Sequence, residues 1–191
     1  MIANVNSYTK NMPTPDRTSL EAIVAAASDL LEREGIAALT MNAVAQRVGV
    51  RAPSLYKRVE NRDRLIQLVA EATLTELTSR LGENDGVADI ANGLRKFGHE
   101  RPAAFQLVLT PAPGTRSADV SFSLAATAAI RRAAGELAGE QHALEAARTV
   151  VAWTTGFISM ELNGTFKLGG DVDKAWDFGV TRIVDAITAP R

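Results

Sequence analysis

Apolar residues recur every three or four positions through most of this 191-residue chain. The first such repeat consists of Leu20, Ile23, Val24, Ala27, Leu30 and Leu31. That spacing places the side chains on one face of an α-helix and is typical of an amphipathic helix. No stretch alternates apolar and polar residues, as a half-buried strand would, for more than four positions. We therefore predict an all-α fold of about nine helices.

Capping residues and glycines mark the predicted helix ends. Thr18 and Glu21 have the spacing of a capping box, in which each side chain accepts a free backbone N–H. Thr40 and Asn61 are N-cap candidates, and Gly49 can adopt the left-handed conformation that often ends a helix. The predicted helices run from Thr18 to Gly35, from Thr40 to Gly49, and over about 52–58, 62–81, 87–98, 102–109, 118–137, 141–163 and 172–187.

Turn-forming residues divide the chain into an arm and two domains. Residues 1–17 are rich in Asn, Thr and Pro, which predicts a disordered arm. The sequence GENDG at 82–86 predicts a turn and a domain boundary. We expect a first domain over 18–65, with its fourth helix continuing to about residue 81, and a second helical domain over 82–191.

Composition excludes several classes of site. The chain has no cysteine, so disulfides, thiolate metal sites and cysteine nucleophiles are absent. Its two histidines, His99 and His142, lie outside any HExxH pattern, and we expect no metal, no cofactor and no enzymatic activity. No apolar run reaches the roughly 18 residues of a membrane span, and no signal peptide is evident, so we expect a cytoplasmic protein.

Positive charge is concentrated in one short segment. The whole chain has a net charge of −1, yet residues 47–64 contain six basic and two acidic residues. The basic residues are Arg47, Arg51, Lys57, Arg58, Arg62 and Arg64. Such a patch indicates a possible contact with a polyanion. The mildly acidic second half disfavours a polyanionic small ligand there and permits an apolar or a cationic one.

The same segment has the pattern of a helix-turn-helix. Two short helices are joined by the tight turn Val48-Gly49-Val50, where Ala45 is small enough for close packing. With Val44, Val50 and Leu55 buried, the outward face of the second helix is cationic and has short side chains at its N-terminal end. That face consists of Arg51, Ala52, Pro53, Ser54, Lys57 and Arg58. A major groove about 12 Å wide admits such a helix.

Residues 18–65 resemble the DNA-binding domain of the TetR family of one-component transcriptional regulators. The resemblance rests on Thr40, Gly49-Val50, Leu55-Tyr56, Val59 and the run from Asn61 to Leu65. WTTGFISMELNG at 153–164 and FKLGGD at 166–171 are similar to the C-terminal domain of one TetR subgroup. Two positions depart from the family pattern: Val59 replaces the usual Phe, and Arg51 replaces a small polar cap.

The resemblance implies a DNA-contacting role for each matching residue. Thr40, Tyr56, Lys57 and Arg62 match positions that contact phosphates, and Arg58 is expected to contact DNA as well. Arg51, Ala52, Pro53 and Ser54 match the groove-facing start of the recognition helix. A bidentate contact of Arg51 with guanine would contribute about 1–3 kcal/mol of discrimination. The alternatives are that Tyr56 is a half-buried core aromatic and that the cations form a solvated face.

For the second half, the resemblance implies a homodimer, paired through the last two helices as a four-helix bundle, and a small-molecule effector. Dimer symmetry then implies a roughly palindromic operator. Candidate residues for the effector pocket are Phe97, Phe105, Phe122, Trp153, Phe157 and Met160. The alternative is that these side chains form an ordinary hydrophobic core.

Three functions remain open from the sequence. The favoured one is a homodimeric repressor that a ligand releases from a palindromic operator. The second is a DNA-binding protein without an effector. The third is an all-helical enzyme, for which His99 and Glu100 are a conceivable acid-base pair, although adjacent residues on a helix point in different directions.

Overall fold

The computed structural model describes residues 19–82 and 85–188. Regular structure in these residues is entirely helical, which confirms the predicted all-α fold. The described helices are α1 (Leu20–Glu34), α2 (Met41–Val48), α3 (Ala52–Leu55), α4 (Arg62–Arg80), α5 (Val87–Glu100), α6 (Pro102–Leu109), α7 (Val120–Ala138), α8 (Ala143–Leu162) and α9 (Val172–Ile187). Two short 3-10 helices, Ile36–Ala38 and Glu140–His142, were not predicted. None of the described helices combines the length and apolar composition needed to cross a membrane.

The structure confirms both of the central N-caps. Thr40 Oγ1 accepts the backbone N–H of Ala43 at 3.2 Å. Asn61 Oδ1 accepts the backbone N–H of Arg64 at 2.8 Å. Gly49 has a φ of 74°, a left-handed conformation that residues with a Cβ rarely adopt. These local signals therefore fix the ends of α2 and the start of α4.

The predicted capping box of α1 is not the observed cap. Ser19 is the N-cap of α1, and its hydroxyl accepts the backbone N–H of Ala22 at 3.1 Å. Ser and Thr are both favourable N-cap residues, and Ser19 directly precedes the first helical residue, Leu20. Thr18 and the predicted arm over 1–17 lie outside the described residues, so the arm stays a prediction.

Helix α3 is shorter than the predicted helix over 52–58. It ends at Leu55, whose carbonyl accepts the N–H groups of both Arg58 and Val59 at 2.8 Å. The chain therefore tightens into a turn instead of continuing as a helix. Helices α7 and α8 each begin two residues after the predicted starts at 118 and 141.

The first hydrophobic core joins α1, α2, α3 and the first half of α4. Its fully buried side chains include Ile23, Leu39, Val44, Leu55 and Leu65. Val59 belongs to the same core and is only 1% exposed. This valine therefore fills the position after α3, although it is smaller than the Phe of the TetR pattern.

The second core lies between α5, α7, α8, α9 and the end of α4. Its large buried side chains are Phe97, Phe105, Ile158 and Trp176. A Cβ added to Gly179 on α9 would lie 2.1 Å from Cζ2 of Trp153 on α8. Glycine at this position therefore allows α9 to pack directly against the Trp153 ring.

Helices α4 and α6 contribute to both cores. In α6, Leu107 is buried in the first core and Phe105 in the second. In α4, Leu65 belongs to the first core and Leu77 to the second. The boundary predicted over 82–86 therefore divides the chain, but the two hydrophobic cores share helices α4 and α6.

A carboxylate of α1 also holds the start of α6. Glu32 accepts the backbone N–H of Ala104 at 2.9 Å and that of Ala103 at 3.2 Å. Arg101 donates to Glu32 at 3.3 Å and to Glu76 of α4 at 2.9 Å. A negative charge at a helix N-terminus is favourable because the first N–H groups lack partners within the helix. Glu32 therefore ties the first core to the helix that enters the second.

An ion-pair cluster joins α5, α8 and α9. Arg95 donates to Glu161 from Nε at 3.0 Å and from Nη2 at 2.5 Å, and to Asp173 at 2.6 Å. His99 Nε2 lies 3.2 Å from Glu161 Oε2. Burial opposes the ionisation of Glu161, but the hydrogen bonds from Arg95 and His99 outweigh that effect and lower the pKa of the carboxyl below its ordinary value.

We expect Glu161→Gln to lower the free energy of unfolding by about 1–3 kcal/mol at neutral pH, because Arg95 loses its charged acceptor. A carboxyl with a lowered folded-state pKa stabilises the fold above its unfolded-state pKa, and that contribution is lost as the pH falls through the folded-state value. Denaturant unfolding across an acid series should therefore show the gap between wild type and variant closing below about pH 4.

Asp173→Asn is the matched control, because Asp173 contacts the same arginine with a side chain that is 80% exposed, against 7% for Glu161. Its effect should be smaller than about 1 kcal/mol. A gap for Glu161→Gln that stays constant with pH would contradict the assigned role of the Glu161 charge.

Candidate nucleic-acid interface

The turn between α2 and α3 brings the two helices into close contact. The N–H of Val50 donates to the carbonyl of Ala45 at 2.9 Å, and the N–H of Gly49 donates to Gln46 at 3.1 Å. Val44 and Ala45 are both buried on the side of α2 that faces the core. Ala45 is only 2% exposed, so a larger side chain there would have to displace its neighbours.

Burial on one side of α3 directs the cations to the other. Leu55 and Val59 are buried, whereas Arg51, Lys57 and Arg58 are exposed. Neither Arg51 nor Lys57 has a hydrogen bond or an ion pair with any of the described residues. Two positive charges on this face are therefore available to an external anion.

The remaining predicted groove residues lie beside Arg51. Pro53 is exposed, and Ala52 and Ser54 are half-buried at the start of the same helix. Pro53 is in the first turn, where no N–H donor is needed. Arg51 occupies the N-cap position, but its side chain makes no capping hydrogen bond. The guanidinium of Arg51 is thus not engaged in holding the helix.

Tyr56 and Thr40 lie at the edges of this surface. The Tyr56 side chain is 54% exposed, which argues against the alternative that it is a core aromatic. Thr40 is exposed at the start of α2, and its Oγ1 accepts the N–H of Ala43. The hydroxyl proton of Thr40 remains available to a phosphate oxygen.

Arg62 has a structural role that the sequence did not indicate. Its Nε donates to the carbonyl of Leu39 and its Nη2 to the carbonyl of Ile36, both at 2.7 Å. These bonds tie the start of α4 to the segment that leads into α2. The guanidinium has further N–H groups, so contact between Arg62 and a phosphate stays a prediction.

Two other arginines of the basic segment are also engaged within the protein. Arg47 lies 3.4 Å from Asp29 of α1, and Arg64 lies 3.3 Å from Glu71. The charge of the basic segment is therefore partly used for folding. What remains for a ligand is concentrated on α3 and the turn that follows it.

Four of the six candidates for the effector pocket, Phe97, Phe105, Trp153 and Phe157, belong to the second core or pack against it. Phe97 and Phe105 are buried in the second core. Trp153 and Phe157 stack with each other at a centroid distance of 5.3 Å and with Trp176 at 5.1 and 5.2 Å. The other two candidates are Phe122, half-buried on α7, and Met160, exposed on α8.

A small cavity beside the second core is lined mainly by aliphatic side chains. This inner cavity has a volume of about 160 Å³ and lies between α4, α5, α6, α7 and α8. Its lining residues are Leu74, Leu77, Leu81, Ile90, Leu94, Val108, Leu109, Ser123, Ala126, Thr127, Ile130 and Val151. None of the six aromatic or methionine candidates belongs to this lining. Spacing along the chain does not indicate which helices enclose a cavity.

The arrangement does not support the acid-base pair of the enzyme alternative. His99 faces Glu161 rather than Glu100. Glu100 forms an ion pair with Arg80 at 2.6 Å, which lowers the pKa of Glu100. In residues 19–82 and 85–188 no group of three side chains could hold a metal ion.

Two family models match the chain. The model described as "Tetracyclin repressor-like, C-terminal domain" matches residues 87–183, just over half of the chain. The model described as "Bacterial regulatory proteins, tetR family" matches residues 17–69. The two matches cover the helix-turn-helix and the second core.

The chain is also similar to individual regulators. It is 30% identical over 103 residues to the HTH-type transcriptional regulator Rv0681 of Mycobacterium tuberculosis. That match covers 50% of this chain and 47% of Rv0681, so the chain spans about half the length of this relative.

Among solved structures, the regulatory protein SCO4313 superimposes with a TM-score of 0.75 at 24% identity, over 88% of this chain and 97% of that one. BioQ in complex with its natural double-stranded DNA operator superimposes with a TM-score of 0.64 at 26% identity, over 89% of this chain and 98% of that one. The chain therefore belongs to the TetR family and is a DNA-binding transcriptional regulator, not an enzyme.

Proposed function

We propose that this regulator is a homodimeric repressor that binds a palindromic operator in the cytoplasm and is released by a small-molecule ligand. The observation that carries the proposal is the exposed surface at α3, where Arg51 at the N-cap and Lys57 in the turn after the helix have no hydrogen-bond or ion-pair partner within the described residues. Unpaired cations on a short, outward helix are suited to the negatively charged and accessible major groove.

The proposed contacts divide into two kinds. Thr40, Tyr56 and Lys57 lie at the edges of the surface and contact phosphates, which fixes the position of the protein on the duplex. Arg51 and Ser54 lie at the start of α3 and reach base edges, with Ala52 and Pro53 offering apolar contact. Arg58 and Arg62 add phosphate contacts from the turn and from α4. The similar protein BioQ has been solved with its natural double-stranded DNA operator, which supports operator binding as the function of this fold.

Exposed apolar side chains on the last two helices support the homodimer. Phe178 of α9 is 64% exposed and Met160 of α8 is 45% exposed. Binding of such a dimer to a palindromic site requires the two α3 helices to lie about 34–36 Å apart, in successive major grooves.

The shared helices provide a physical route from ligand to DNA. Leu109, at the end of α6, lines the inner cavity. The start of the same helix is held by Glu32 of α1 through the N–H groups of Ala103 and Ala104. A ligand that displaces Leu109 would move α6 and, through Glu32, the first domain. Coupling of about 1–3 kcal/mol is typical of such effects.

Selection of genomic DNA fragments with the purified protein, followed by gel-shift assays, tests the proposal as a whole. We expect enrichment of one palindromic sequence, and release of that DNA by a metabolite linked to a neighbouring gene. Specific DNA binding that no ligand changes would favour the alternative of a DNA-binding protein without an effector. Failure to enrich any sequence would refute sequence-specific DNA binding.

Lys57→Ala should weaken binding to all DNA by a similar factor, because a phosphate contact carries no sequence information. The slope of log K against log salt concentration should flatten by up to about 0.9. Arg62→Ala should flatten the slope and also lower the melting temperature, because it removes two internal hydrogen bonds. Lys174→Ala, remote on α9, is the control, and an unchanged slope for Lys57→Ala would remove that residue from the interface.

Arg51→Ala should relax base preference at one position in each half-site, with a loss of about 1–3 kcal/mol for the preferred base pair. Sequencing of the DNA selected by the variant measures this loss directly. The melting temperature should stay unchanged, since the Arg51 side chain makes no capping bond. A selected motif identical to that of the wild type would show that Arg51 reads no base.

For any ligand found by a thermal-shift screen, Glu32→Gln should preserve ligand affinity and reduce the ligand-induced change in operator affinity. The reason is that the weakened cap transmits less of the movement of α6. Calorimetry and fluorescence anisotropy measure the two quantities separately. Equal ligand responses in wild type and variant would refute the route through Glu32.

A further inference from the structure

A groove on the surface of the second domain adjoins the inner cavity. It lies between α7 and α8, has a volume of about 650 Å³, and is referred to below as the α7–α8 groove. Most of its lining is apolar, including Leu144, Ala147 and Val151. Four residues line both spaces, namely Leu109, Thr127, Ile130 and Val151. These four residues form a wall that the groove and the inner cavity share.

Two arginines stand at the groove without partners. Arg131 of α7 and Arg148 of α8 both line it, both are exposed, and neither forms an ion pair or hydrogen bond with any described residue. No acidic residue belongs to the lining. The groove is therefore locally positive, although the second half of the chain is mildly acidic.

The acidic residues near the groove limit the charge that it can accept. Glu136 and Glu140 line the adjoining depression, to which Arg131 and Arg148 also belong. Glu136 is paired with Arg132 at 2.7 Å. Their carboxylates would repel a polyanion but leave room for a single negative charge at the two unpaired arginines.

A polar group of the groove also lacks a partner. The hydroxyl of Thr155 is buried and makes no hydrogen bond within the described residues, and Thr155 lines the groove. This oxygen is shielded from solvent, so it adds little polarity to the surface along which an apolar tail would lie.

We propose that the effector is a monoanionic amphiphile, with a carboxylate between Arg131 and Arg148 and an apolar tail along the α7–α8 groove. The proposal rests on the ligand-controlled function above and names its ligand class. Opposite charge at the head and apolar contact along the tail complement both parts of the lining. It replaces the expectation of an apolar or cationic ligand, which considered only the net charge of the domain.

The position of the tail suggests how this ligand would act. A chain that displaces the shared wall of Ile130 and Val151 would open the inner cavity to the groove. Leu109 belongs to that wall and ends α6, whose other end is held by Glu32. The ligand would thus act on the helix that links the two cores.

Calorimetric titration of the full-length protein with three probes of equal tail length tests the ligand class. The probes are decanoate, decanol and decyltrimethylammonium, each below the concentration at which it forms micelles. We expect decanoate to bind at least about tenfold more tightly than decanol, because it adds charge-assisted hydrogen bonds, and the cation to bind most weakly.

The double variant Arg131→Gln and Arg148→Gln should bind decanoate and decanol equally, with decanol affinity unchanged. Lys174→Gln is the matched control, since it removes one positive charge from a side chain that is 85% exposed on α9. It should keep the wild-type preference for decanoate. Circular dichroism melting of each variant verifies that it is folded.

Three results would overturn the inference: no binding of decanoate, equal binding of decanoate and decanol to the wild type, or a preference that survives in the double variant. A double variant altered in dimerisation but not in decanoate binding would assign the groove to a second copy of the chain. Gel shifts on the same proteins keep the questions separate. If the wild type binds its operator but does not prefer decanoate to decanol, only the proposed ligand class is rejected. If the wild type binds no operator, the proposed function itself is rejected.

Discussion

Burial of Leu55 and Val59 is the interaction on which the rest of the interface depends. Each buried aliphatic side chain contributes about 1.5–3 kcal/mol, far more than an exposed charge on the same turn. With these two residues in the first core, α3 can take only one rotation about its axis. Arg51 and Lys57 then face outward, where they form no hydrogen bond or ion pair with the described residues. The cationic surface is thus a consequence of apolar packing beneath it.

Shared helices and a few polar contacts link the two halves of the molecule. Helices α4 and α6 belong to both hydrophobic cores, so neither core can shift without the other responding. Polar anchors reinforce this connection at two points: Arg62 holds the start of α4 to the segment before α2, and Glu32 holds the start of α6. Glu32 does so by accepting N–H groups at the start of α6, which have no partners within that helix. The proposed response to a ligand depends on such a connection, because a flexible link would not transmit the movement of one helix to the other core.

Features set by neighbouring residues were predictable from the sequence. Thr40 and Asn61 cap their helices through bonds to residues three positions later, and Gly49 takes a positive φ that few other residues tolerate. Features set by distant residues were not. Arg62 bonds to carbonyls 23 and 26 positions earlier, and His99 meets a carboxylate 62 positions later. Spacing along the chain contains no signal for such pairs, and it gave none for the aliphatic lining of the inner cavity.

The central claim is that the cationic face of α3 is presented twice, at a separation that matches the DNA duplex. Sedimentation velocity of the protein with a duplex taken from the selected genomic fragments tests it most directly. The account predicts a particle with two chains for each palindromic site, and little complex with a scrambled duplex of equal length. A protein that stays monomeric and sediments identically with both duplexes would contradict the account.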